Sequence, residues 1–83
     1  MKNNANSVGY SADVQMELSV NGFVLSIGQL GPDFLILDDP TEHAPAKAEV
    51  AVWIDGDESR WTVHLPEGIS PKMERTRIVP CER

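Results

Sequence analysis

The chain is poor in the residues that most often carry chemistry. It has one cysteine and two histidines among 83 residues. A single thiol, Cys81, closes no disulfide within the chain, which fits a reducing compartment. His43 and His64 stand far apart in the sequence with no metal-ligand spacing around them, so no metal site is expected. Cations are scarce: 7 Lys and Arg against 13 Asp and Glu leave a net charge of −6. A chain of that balance repels a phosphate backbone, and nucleic acid is not an expected partner. Long apolar runs are missing too. None approaches the roughly 20 residues that cross a bilayer, and Met1–Ser7 has no apolar stretch of the signal-peptide kind. The expectation is a cytoplasmic protein with no membrane partner.

Catalytic and cofactor motifs are absent in the same way. No glycine-rich phosphate loop leads into a helix, and no Gly-x-Ser-x-Gly elbow occurs. Ser26, Ser59 and Ser70 have no base assigned by any pattern. Asp55-Gly56-Asp57-Glu58-Ser59 has calcium-ligand residue types but lacks the spaced pattern that ends in a bidentate Glu. No enzyme and no cofactor are expected. No segment sustains a helical apolar stripe over three turns.

What is present is two-residue alternation. From Asp13 to Val20 every even position is apolar and every odd one polar. Asn21-Gly22 follows, a pair suited to the positive φ angles of a type I′ turn. Phe23, Leu25 and Ile27 then carry the apolar side. Folding at Asn21-Gly22 sets Val20 against Phe23, Leu18 against Leu25 and Met16 against Ile27, all on one buried face. A second hairpin is expected over residues 47–65. Ala48, Val50, Val52 and Ile54 face one way on its first strand, and Trp61, Val63 and Leu65 on its second. A turn at Gly56-Asp57 pairs Val52 with Trp61, Trp53 with Arg60 and Glu49 with His64; a turn at Asp55-Gly56 shifts this register by two residues. The charge pairing on the outer side favours the first.

Between the hairpins, Gly28–Asp33 reads as a loop with Leu30 folded back as a plug. Phe34–Leu37 is apolar without alternation, as in a strand covered on both faces. Asp38–Ala46 is an acidic connection with room for one helical turn at Pro40–Ala44. Glu74–Val79 reads as a last strand, with Ile78 inward. Residues 1–12 are expected to be a flexible arm, 13–80 a single domain and 81–83 a tail. The fold class is all-β: a small antiparallel barrel or sandwich of five to six short strands built from two β-hairpins.

The order of strands and the glycine-bearing loop before Phe34 resemble the PilZ-type barrel, a family that binds cyclic di-guanylate. That resemblance implies a small barrel and nothing about a site. The arm has no arginine, and Ser26–Gly31 lacks the family's Asp/Asn-x-Ser-x-x-Gly pattern.

Alternation sets Trp53 on the outer side of the second hairpin, where an exposed indole marks a contact surface. Trp53, Arg60, Thr62 and His64 are therefore the candidate recognition face, for a protein partner or a second copy in a homodimer. The alternative is a sensor for a small anionic ligand, held by Arg60, Arg75 and Arg77.

Overall fold

The computed structural model describes residues 13–81. The segment 1–12, expected as an arm, and the last two residues of the 81–83 tail lie outside the described residues. Among the described residues there are seven strands: β1 (Val14–Val20), β2 (Phe23–Leu30), β3 (Phe34–Leu37), β4 (Ala46–Ile54), β5 (Asp57–Leu65), β6 (Thr76–Arg77) and β7 (Val79–Pro80). They form one antiparallel sheet in the order β6-β3-β2-β1-β4-β5-β7. The two hairpins lie side by side, with β1 pairing β4 from Val14 opposite Ile54 to Ser19 opposite Glu49.

The sheet curls into a nearly closed small barrel, and its closure is made by one short stretch of chain. Thr76 and Arg77 pair with Leu35 and Phe34 on β3. Two residues later, Val79 and Pro80 pair with His64 and Val63 on β5, at the far end of the strand order. Between them Ile78 is 2% exposed and donates its N–H to the Asp33 carbonyl at 3.0 Å. The expected last strand thus exists but divides around an inward isoleucine. Pro80 has no N–H to give, and it sits where the edge tolerates that loss.

The interior collects Leu18, Val20, Ile27, Leu35, Leu37, Ala48, Val50, Val52, Val63, Leu65, Ile69 and Ile78. Most come from the inward positions of the alternation. The first hairpin has the expected register, with Val20 opposite Phe23 and Leu18 opposite Leu25, and Asn21 and Gly22 take φ of 50° and 81°. Phe23 departs from expectation: it shares the inward side yet is 58% exposed. It lies at the hairpin tip, past the end of the core, where its ring meets His43 edge-on at 5.3 Å between centroids.

The second hairpin takes the other register. Asp55 and Gly56 form the turn, with φ of 52° and 89°, so Val52 faces Ser59, Trp53 faces Glu58, Glu49 faces Thr62 and Lys47 faces His64. Trp53 and Arg60 are therefore not directly opposed, nor are Glu49 and His64, although the Arg60 guanidinium still reaches the Trp53 ring diagonally. The reason is backbone chemistry. Asp-Gly supplies two residues that tolerate positive φ, as a type I′ turn demands, whereas the competing cross-strand charge pairs contribute only ~0.2–1 kcal/mol each. The turn is also tied to the first strand: the Asp13 N–H donates to Asp55 Oδ1 at 2.9 Å, and the Asp55 N–H to the Asp13 carbonyl at 2.9 Å.

Three smaller differences follow from local pairing. β2 runs through Leu30, which pairs with Leu35 after a register shift between Ile27 and Gln29. Phe34–Leu37 is not central but next to last in the strand order, and it buries Leu35 and Leu37 while Phe34 and Ile36 stay half-covered. Pro40–Ala44 makes no helical turn; His43 instead forms a β-bridge with Ile69, exchanging hydrogen bonds at 3.0 and 2.9 Å.

Candidate functional site

The outer face of β4 and β5 is built by their odd and even residues respectively. On β5, Glu58, Arg60, Thr62 and His64 point outward; on β4, Lys47, Glu49, Ala51 and Trp53 do. Arg60 organises this face. Its guanidinium donates to Glu49 at 3.0 Å and to Glu58, and it lies 5.7 Å from the centre of the Trp53 ring. Hydrogen bonds to Glu58 first and Glu49 second raise its pKa above the ordinary guanidinium value. Beneath this cover Ala51 is 3% exposed although it lies on the outer side.

This geometry changes what the face offers. Trp53 is half-buried rather than bare, with Arg60 over its ring. Thr62 is exposed, and its carbonyl accepts the Cys81 N–H at 3.0 Å. His64 is exposed and flanked by Lys47 and Val79. The four residues do share one side, but the cation among them is already paired twice.

The more accessible indole is Trp61, 37% exposed. Alternation points it inward, opposite Val50, yet the interior does not extend over it. The signal was in the sequence: the preceding inward positions on β5 are Asp57 and Ser59, both polar. Half the strand therefore has no apolar side, and Trp61 is its first apolar residue. Val14 and Ile54, paired across β1 and β4 on the same inward side, are each 49% exposed.

The backbone beside Trp61 is also open. The Cys81 N–H reaches the Thr62 carbonyl, so Thr62 presents its main-chain groups away from β4. Strand parity then turns the main-chain groups of Glu58 and Arg60 the same way. Among the described residues, no strand pairs with Asp57–Trp61 on that side. It is the longest such run among the described residues of the sheet.

Arg75 and Arg77 lie elsewhere, beside the closing segment. With Asp33, Phe34 and Glu67 they line a shallow cavity of about 230 Å³. The Arg75 guanidinium stands 4.4 Å from the centre of the Phe34 ring, and Arg77 reaches Glu67 at 3.9 Å. Arg60 is not part of this group. The three arginines considered together for an anionic ligand therefore divide into one on the outer hairpin face and two at the cavity.

No cluster of three or more His, Cys, Asp or Glu suited to a metal occurs among the described residues. No helix there is long and apolar enough to cross a membrane. Comparison with family models, with curated proteins and with solved structures returned no match.

Proposed function

We propose that this chain is a non-catalytic interaction module that binds another protein or a second copy of itself through the free side of β5. The observation that carries the reading is the joint placement of Trp61 and an unpaired strand. An accessible indole offers apolar area with little conformational freedom to lose, and open main-chain groups offer directional hydrogen bonds to an added strand. Trp53, Arg60, Thr62 and His64 flank this edge on the outer side and supply polar contacts around it.

Binding rather than turnover fits the polar groups. Ser26 Oγ donates to Asp38 at 2.7 Å, and His43 Nε2 lies 3.0 Å from Thr41 Oγ1. Neither histidine is hydrogen-bonded to a serine or to Cys81 among the described residues. The single free thiol, Cys81, is exposed, which supports a reducing compartment such as the cytoplasm.

The test is affinity capture with the whole chain and with a Trp61→Ala variant, quantified by mass spectrometry. The reading expects at least one protein, the chain itself included, retained by the parent and lost from the variant. An identical set on both baits contradicts it.

A second reading rests on the cavity at Phe34. Among the described residues Arg75 has no carboxylate within salt-bridge distance and Arg77 is held only at 3.9 Å, so both can turn to an anion, with Phe34 as an apolar floor. Thermal-shift screening against nucleotides and sugar phosphates tests it. Stabilisation abolished by Arg75→Ala supports it; no shift with any anion removes it.

A further inference from the structure

We infer that the partner of the β5 edge is a second copy of this chain, joined antiparallel about a two-fold axis at Ser59. This rests on the proposed interaction edge and names its occupant. The argument is self-complementarity. Laid antiparallel against itself with Ser59 at the centre, Asp57-Glu58-Ser59-Arg60-Trp61 sets Glu58 opposite Arg60 of the second copy, and Arg60 opposite its Glu58. Both seam pairs join opposite charges. A two-fold interface makes each pair twice, as an isologous contact requires.

The main-chain parity agrees with the same register. Glu58 and Arg60 are the residues whose N–H and C=O groups point away from β4. Opposed across the seam, each exchanges both hydrogen bonds with its partner, which makes four in all. Ser59, whose own main-chain groups point to β4, falls on the axis, where an antiparallel pair makes no hydrogen bonds and side chains approach closest. A serine is small enough for that position. On the inward side, each Trp61 then stands opposite Asp57 of the other copy, one strand away from its half-exposed Ile54. The accessible indole gains cover next to an apolar residue that is also open to water.

Arg60 is already restrained on the outer face, where it reaches back to Glu49 on β4 and to Glu58. Little side-chain freedom is therefore lost when a second Glu58 arrives. Charged residues on an edge normally discourage strand addition. Here they discriminate instead, because alternation of sign about Ser59 repels most foreign strands and most slipped registers but suits this sequence paired with itself.

Sedimentation velocity on the full chain, across a concentration series, tests the proposal. The parent is expected to pass from 9.2 kDa to twice that mass as concentration rises. Glu58→Arg or Arg60→Glu alone places like charges at both seam pairs and is expected to weaken association at least about tenfold. The double variant Glu58→Arg/Arg60→Glu restores opposite signs and is expected to return affinity to within about threefold of the parent. Far-UV circular dichroism and thermal melting confirm that each variant is folded. A chain that stays monomeric at the highest concentration overturns the proposal, whether the edge is taken by residues 1–12 or by nothing. So does a dimer indifferent to all three variants. A monomer that still captures a different protein through Trp61 sinks the two-fold partner and leaves the interaction edge standing; a monomer that captures nothing sinks both.

Discussion

Backbone conformation at single residues sets where this chain can bend, and two glycines show the difference between freedom and contact. Gly56 takes φ of 89° with open space where a Cβ would stand. Alanine there meets only the left-handed backbone penalty, about 1–2 kcal/mol. Gly68 takes φ of 67°, and a Cβ would collide with the His43 carbonyl and the Ala44–Pro45 backbone. That approach is what lets His43 bridge to Ile69. Gly68→Ala is therefore expected to cost at least twice as much as Gly56→Ala in urea denaturation, and equal costs would show that the bridge is not tightly held. Gly56 could be read from its Asp-Gly pair. Gly68 could not, because its constraint is another segment's backbone, some twenty-five residues earlier in the chain.

At the scale of elements, turn chemistry outranks side-chain pairing. Both hairpins close on two-residue turns with positive φ at both positions, and the second discards the outer-face charge pairs that the competing register would have made. Asp55 contributes twice, by tolerating positive φ and by accepting the Asp13 N–H. Asp55→Ala is expected to destabilise by about 1–2 kcal/mol, and Asp55→Gly, which keeps the backbone freedom, by about half as much. Matching losses would assign the whole effect to the hydrogen bond. The alternation made both hairpins legible, since a period of two survives any even shift of register. It did not reveal which pairs face each other. The polar Asp57 and Ser59 mark where β5 loses its apolar side, but how far the core reaches along that strand depends on what lies across from it, so the exposure of Trp61 is not readable from the alternation alone. For the same reason the candidate face drawn around Trp53 leaves out Trp61, the more accessible indole of that hairpin.

Over the whole molecule, one five-residue stretch converts an open sheet into a barrel. Thr76–Arg77 holds one end, Val79–Pro80 the other, and Ile78 fills the interior between them. Ile78→Ala removes buried volume at the seam and is expected to cost about 2–5 kcal/mol, a large share of what a domain of this size possesses. A loss below about 1 kcal/mol would mean that the barrel holds without its closing segment. This closure was only half visible beforehand. An inward Ile78 was expected, but a strand divided between two distant neighbours follows from the curvature of the entire sheet. Within the described residues the last strand reaches His64, Val63 and Thr62 on β5, and Asp57–Trp61 is the stretch of that strand left without a partner on this side.

That edge is the central claim, and amide hydrogen exchange at residue resolution tests it most directly. The Glu58 and Arg60 amides are expected to be protected in concentrated solution and to exchange rapidly on dilution, while the Val50 amide inside the sheet stays slow throughout. Rapid exchange of Glu58 and Arg60 at every concentration, or protection that dilution does not remove, would contradict the account.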